Sequence, residues 1–303
     1  MATAKGYAAQ AAGAPLAPFT FERREPNADD VVIASYARTP MGGFQGVLSD
    51  AKATDLGAAA VKAALERAGL DPAKVILSPR GHGPELAAAQ GSGLAADNAD
   101  LVRRADLVLL AVRPDAAVRA LEGLPWRAGQ VIVSACAGVP VAALAAAAPG
   151  ARIVRIMPMT TAEIGRSPTA IFPDLPPARA LIERIGPAIP LAREEDFEIA
   201  TVSAAVYGWA QDLIRQTADW SAARGLAPDI ARLLVARTFE GAGALIAEKP
   251  EPMAQLLDEL VTPGGITERG LQVLGQAGVP RAWDDACQAV LDMLVQRRAG
   301  GAP

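Results

Sequence analysis

Several short stretches of this sequence carry residue types that can do chemistry. In TPMGGFQG, Gly42, Gly43 and Gly46 follow the apolar run VVIASYA (31–37). Glycines in a loop after a strand let backbone amides close around a phosphate. SPR (78–80) ends the apolar run VILS (75–78) with a hydroxyl, a guanidinium and no carboxylate. Ser78 can donate a hydrogen bond and Arg80 can pair with a phosphate; equally, Arg80 can stand in solvent before the turn PRGHG. TPGGIT (262–267) offers backbone amides, two glycines and two hydroxyls. It can hold a carboxylate without a cationic side chain, or it can cap a helix. The one histidine, His82, lies in a Gly/Pro-rich turn and reads as a solvated side chain. A single histidine excludes multi-His zinc sites, and no G-x-S-x-G turn accompanies it. Cys136 and Cys287 lie in apolar stretches and read as buried thiols of a reducing, cytoplasmic compartment, not as metal ligands.

The glycine loop fails the test its position invites. A dinucleotide fingerprint needs one glycine for the tight turn, one for close approach of the pyrophosphate and one for helix–strand packing, directly between strand and helix. No G-x-G-x-x-G stands here, and Arg38 to Ala53 intervene before the helical stretch entered at Thr54. The expectation is weak or absent dinucleotide binding, unless Gly42, Gly43 and Gly46 fold back into an unorthodox anion nest.

The elements that must position these residues follow from apolar periodicity. Strands are expected at 31–37, 75–78, 93–96, 106–112, 131–136 and 152–158, with helices at 54–68, 84–90, from Asn98, at 115–121 and at 140–148. Continuous apolar strands separated by helices describe a parallel sheet covered on both faces. After Pro168 a Pro-rich bridge leads into helical periodicity alone, at 194–224, 228–248, 251–260, 268–277 and 280–297. The plan is an N-terminal extension (1–29), an α/β Rossmann-type domain (30–165) and an all-α domain (166–300). In the helix 194–224, Val206, Tyr207, Trp209, Leu213, Ile214 and Trp220 carry more apolar surface than one exposed face allows, so an obligate dimer is expected. The chain has 303 residues, 51% hydrophobic, and a net charge of −4. It has no Lys/Arg-rich tract and no apolar run of membrane-spanning length, so neither nucleic acid nor a membrane is an expected partner.

Five ordered pieces, VILSPR, AADNADLVRRADLVLLAVRPD, VIVSACAGVP, RIVRIMPMTTAEIG and LVTPGGITERGLQVL, resemble the pyrroline-5-carboxylate reductase family over about 75–294. The resemblance implies a helical dimerisation domain, a homodimer or higher homo-oligomer, and hydride transfer from a nicotinamide cofactor to a cyclic imine, giving proline. It implies that Val112, Arg113 and Pro114, Ser134–Gly138, and Met157 and Pro158 line the cofactor. A carboxylate after the second strand would bind the ribose of NAD and repel a 2′-phosphate, so Ser78 and Arg80 favour NADP(H). The resemblance also places the Thr267 hydroxyl near the imine nitrogen, with Ser203, Thr262, Gly264 and Gly265 around the substrate. Two departures bear on the substrate. SAAVYGWAQDL (203–213) is bulkier than the family's Ser/Gly-rich segment, and Met159 stands where the family usually has Asn.

Residues 37–72 resemble the N-terminal start of thiolases, and residues 5–33 resemble that of zinc-dependent alcohol dehydrogenases. Neither brings its catalytic residues. The chain reads as a composite in which a thiolase-like βα unit replaces the reductase's own first strand, glycine loop and helix. Two functions follow: an NADP-dependent imine reductase impaired by the missing loop, or a non-catalytic reductase-like dimer that no longer binds cofactor.

Overall fold

The computed structural model describes the backbone of residues 2–8, 17–23 and 31–35, residues 69–81 and 83–296 with their side chains, and the backbone of 297–298. The expected helix at 54–68, the loop bearing Gly42, Gly43 and Gly46, and His82 lie outside the described residues. The chain divides into two compact units, Met1–Ala200 and Thr201–Gln296, with the few residues after 296 grouped with the first.

In the first unit β1 (Ala2–Ala8) and β2 (Ala17–Arg23) pair antiparallel as a separate two-stranded sheet, in the register Ala2↔Arg23. The main sheet has eight strands. They are β3 (Val31–Ser35), β4 (Val75–Leu77), β5 (Gly93–Leu94), β6 (Leu107–Ala111), β7 (Val131–Ser134), β8 (Arg152–Met157), β9 (Thr169–Phe172) and β10 (Ala188–Pro190). Their order is β10-β9-β8-β7-β6-β3-β4-β5. From β5 to β8 every neighbour is parallel. The chain leaves β3 toward one edge and returns to its other side at β6, which is the doubly wound arrangement with its switch point at β3. Val31 is in register with Val75 on one side and Leu107 on the other.

Burial explains the continuous apolar strands. Val131, Ile132, Val133 and Ser134 are all buried, so both faces of β7 are covered. Ile132, Leu110 and Ile153 pack with Ala117 and Leu121 of α3 (Ala117–Leu121) and Leu144 of α4 (Val141–Ala147). Val131, Val133, Val154 and Ile156 face the other way, against Ala178 and Ile182 of α5 (Pro176–Ile182). Preceding these in the chain, α1 (Gly83–Gln90) follows β4 and α2 (Asn98–Arg104) follows β5. The Asp97 side chain caps α2 by accepting from the Asp100 amide at 2.7 Å.

The expected boundary at 165 is corrected. The sheet continues into β9, which pairs antiparallel with β8, and β10, which pairs parallel with β9. The residues of IFPDLPPARA therefore finish a strand and form α5 instead of serving as a linker. The apolar run TAIF is short and bracketed by prolines, so its periodicity is hidden. Its pairing with Arg155–Met157 is what makes it a strand.

The second unit is all-helical, as expected. It contains most of α6 (Asp196–Ala222), then α7 (Pro228–Glu248), α8 (Met253–Leu260), α9 (Ile266–Gln276) and α10 (Val279–Arg298). Trp209 of α6 meets Trp283 of α10 edge to face, with ring centroids 5.4 Å apart. Few side chains in this unit are buried within one chain. Trp220 is 58% exposed, Leu234 59%, Leu260 66% and Ile266 94%.

Candidate functional site

The first unit holds a cavity of about 480 Å³ between α2 and α3, over β6. Its polar edge is built at the carboxyl ends of β4 and β6, the two strands that flank β3. Leaving β4, the Ser78 hydroxyl donates to Asn98 Oδ1 at 2.8 Å and accepts from the Arg80 amide at 3.3 Å. Asn98 is the first residue of α2, so the Asp97 cap fixes its place. The turn that carries Ser78 is held closed by a glycine. A Cβ at Gly83 would stand 1.8 Å from the Ser78 carbonyl oxygen, so no other residue fits where α1 starts against β4. Leaving β6, Val112 and Arg113 also line the cavity. The Arg113 guanidinium lies 3.4 Å from Asp115 in the same short turn, and both side chains are exposed. The walls are apolar: Leu101, Val102, Leu110, Leu121, Leu124 and Trp126. Trp126 is fixed by its indole N–H, which donates to the Leu121 carbonyl at 2.9 Å.

Of the expected cofactor-lining residues, Ser78, Arg80, Val112 and Arg113 are thus brought to one cavity. Pro114 opens the 3-10 turn that follows Arg113. Met157 and Pro158 stand at the end of β8 and do not line this cavity. Beyond them the Met159 amide donates to Ser167 Oγ at 2.8 Å, and Ser167 meets Thr169 at 2.9 Å. Cys136, after β7, turns its thiol to the Val112 carbonyl at 3.3 Å. Burial pushes that thiol's pKa up, outweighing the opposing contributions of Ser134 and of the Val112 carbonyl that accepts from it.

Beneath the end of β8 a charge is buried. Arg155 donates to Glu194 at 2.9 Å and to Glu198 at 2.8 Å, and its guanidinium lies 4.1 Å from the Phe197 ring centroid. Glu194 also accepts from the Val141 amide at 2.8 Å, capping α4. One arginine therefore fixes the start of α6 and the start of α4 to the sheet.

In the second unit, Thr262, Gly264 and Gly265 form the turn between α8 and α9. The Gly265 amide donates to the Thr262 carbonyl at 2.8 Å, and Gly264 has φ +72°. The Gly264 amide is already engaged by Glu268 Oε2 at 2.8 Å. Gly265 is the N-cap of α9 and Thr267 lies in its first turn. Ser203 is exposed on α6. The helix-capping geometry is therefore present, and its carboxylate partner comes from the chain itself.

Asn98, Arg119 and Trp126 are polar-bearing residues of the cavity that the sequence did not single out. Arg119 has a legible signal: Ala116, Arg119 and Ala120 follow helical spacing and share one face. Asn98 lies one residue after a capping aspartate, and Trp126 sits in a loop with no periodicity to mark it. Among the described residues no cluster of His, Cys, Asp and Glu could hold a metal ion, and no helix is long and apolar enough to cross a membrane.

The parallel strand order, the cavity beside its switch point and the helical second unit define a doubly wound nucleotide-binding fold joined to a helical domain. Comparison with known proteins identifies the family. The family model for pyrroline-5-carboxylate reductase dimerisation matches residues 194–296, and that for the thiolase N-terminal domain matches residues 31–82. A pyrroline-5-carboxylate reductase of Synechocystis is 31% identical over 201 residues, covering 64% of this chain and 75% of the relative. The chain belongs to the pyrroline-5-carboxylate reductase family. Its N-terminal segment is separately similar to mitochondrial acetyl-CoA acetyltransferase B of Xenopus laevis, 49% identical over 75 residues, which cover 22% of this chain and 18% of that one. The fold matches the pyrroline carboxylate reductase of Plasmodium falciparum, a structure with NADP bound, at a TM-score of 0.68 and 19% identity, covering 88% of this chain and 98% of that one. Neither matching family model reaches residues 5–30, and residues 31–33 fall in the thiolase match, so the resemblance of 5–33 to zinc alcohol dehydrogenases gains no support from them.

Proposed function

We propose that this protein is an NADP(H)-dependent reductase of a cyclic imine of the pyrroline-5-carboxylate type, with cofactor affinity reduced by the missing glycine fingerprint. The observation that carries this reading is the polar edge of the cavity. Ser78 is locked to Asn98, and Arg80 and Arg113 line the same space with no carboxylate among them. That donor set accepts a ribose phosphate and lacks the group that would repel it. Bound there, NADPH supplies the hydride.

The chain's own part is positioning. Val112, Arg113, Pro114, Met157 and Pro158 follow the strand ends that flank the cofactor. Thr267 orients the imine nitrogen, while Ser203, Thr262, Gly264 and Gly265 hold the substrate. A substrate carboxylate at the Gly264 amide must displace Glu268, so substrate binding and release of that side chain are one event.

The reading predicts a preference for NADPH over NADH in a fluorescence titration. Arg80→Ala removes about 1–3 kcal/mol of that preference, the scale of one charge-assisted contact. Equal affinity for the two cofactors in the parent protein defeats it. If neither binds, the reductase-like dimer without cofactor is the correct description; the absence of a G-x-G-x-x-G is the observation on its side.

The partner we propose is a second copy of this chain, through the helical unit. The dimerisation match covers it, and its apolar side chains stand in water in one chain. Light scattering at micromolar concentration is expected to give a dimer or a larger closed assembly; a monomer rejects this.

A further inference from the structure

The cavity between α2 and α3 has one charged side chain with no role in the reading above, Arg119. Three arginines line the cavity, Arg80, Arg113 and Arg119, and among the described residues no Asp or Glu does. The whole chain carries a net charge of −4, so this edge inverts the protein's overall sign. Arg113 has Asp115 nearby at 3.4 Å. Arg80 and Arg119 form no ion pair among the described residues. Behind them the walls are Leu101, Leu110, Leu121, Leu124 and Trp126. An apolar slot with a cationic rim suits a flat apolar ring carrying phosphate at its edge. Arg119 reaches the cavity from α3, not from a strand end, because Ala116, Arg119 and Ala120 share its face.

We infer that Arg119 is a specificity-determining residue that binds the ribose monophosphate of a phosphorylated adenosine, so that this half of the ligand is held without the strand–helix turn after β3. The inference rests on the cofactor reading above but extends it to a residue and an autonomy that reading does not need. All the groups involved belong to β4, β6, α2, α3 and their loops. None belongs to residues 36–68, where the fingerprint is missing. The shared chemistry is a ribose-phosphorylated adenosine, which occurs with a 2′-phosphate in NADP and a 3′-phosphate in coenzyme A. The assignment is to the 2′ form.

The test is isothermal titration of the full chain with adenosine 2′,5′-bisphosphate, adenosine 3′,5′-bisphosphate and 5′-AMP. NADPH oxidation with pyrroline-5-carboxylate is measured in parallel. The 2′,5′ compound is expected to bind tightest. Arg119→Ala should weaken it at least about tenfold, leave 5′-AMP within about twofold, and be partly restored by Arg119→Lys. Circular dichroism of each variant confirms that it is folded. Equal binding of the 2′,5′ compound and 5′-AMP, tighter binding of the 3′,5′ compound, or no selective loss in Arg119→Ala overturns the inference. Fragment binding without turnover rejects the reductase reading and leaves the inference standing. Turnover with NADPH that is indifferent to Arg119 does the reverse.

Discussion

Arg155→Ala is expected to destabilise the first unit by about 3–5 kcal/mol, the cost of leaving buried charges unpaired. The Arg155 side chain is 1% exposed and its partners Glu198 and Glu194 are 3% and 17% exposed. Removing the guanidinium leaves two carboxylates facing each other in a dry site. It also removes the group stacked on Phe197 and frees Glu194 from the geometry that caps α4 at Val141. Urea unfolding followed by circular dichroism reads the loss. A second variant isolates its cause: Arg155→Met with Glu194→Gln and Glu198→Gln removes the stranded charge and should recover a large part of the stability. A loss below about 1 kcal/mol in Arg155→Ala would show the pair to be energetically idle.

The second large effect concerns the βα unit itself. Replacing residues 31–70 by a strand–GxGxxG–helix unit is expected to raise NADPH affinity by roughly two orders of magnitude or more. Glycines at a strand–helix turn let two or more amides at a helix terminus reach the pyrophosphate, each such bond being worth about 1.5–3 kcal/mol. Two of them already exceed a hundredfold in Kd. The parent sequence has Gly42, Gly43 and Gly46 in the wrong spacing and too far ahead of Thr54. Fluorescence titration of parent and exchange variant measures the difference. Micromolar affinity in the parent, abolished by Gly42→Val with Gly43→Val, would sink this expectation and make the unorthodox nest the working site.

What could be read from the sequence was whatever depends on local pattern. The run LVLLA at 107–111 and the helix at 228–248 carry their own periodicity, and both form where expected. Ser78, Arg80, Val112 and Arg113 were legible because they follow apolar strands, and strand ends in a parallel sheet face the ligand crevice. What escaped depends on partners distant in sequence. TAIF becomes a strand only by pairing with β8. Arg155 sits in an apolar strand with nothing local to explain it, because its carboxylates lie on residues 194 and 198. Glu268 reads as an ordinary helix acid until its bond to the Gly264 amide is seen.

The thiolase-like match begins at residue 31, where β3 begins, and β3 is the strand hydrogen-bonded to both β4 and β6. The matched residues, 31–82, include both β3 and β4, so two adjacent strands of the sheet lie in a segment similar to the thiolase N-terminal domain, and β6 is the neighbour from outside it. A parallel ladder makes this possible, since its bonds run between main-chain groups that every residue but proline possesses. Each neighbour asks of the inserted strand only direction, length and an apolar face. Recombination between unrelated genes has a natural splice point at such a strand. The framework around it acts as a socket that accepts the shape of the insert.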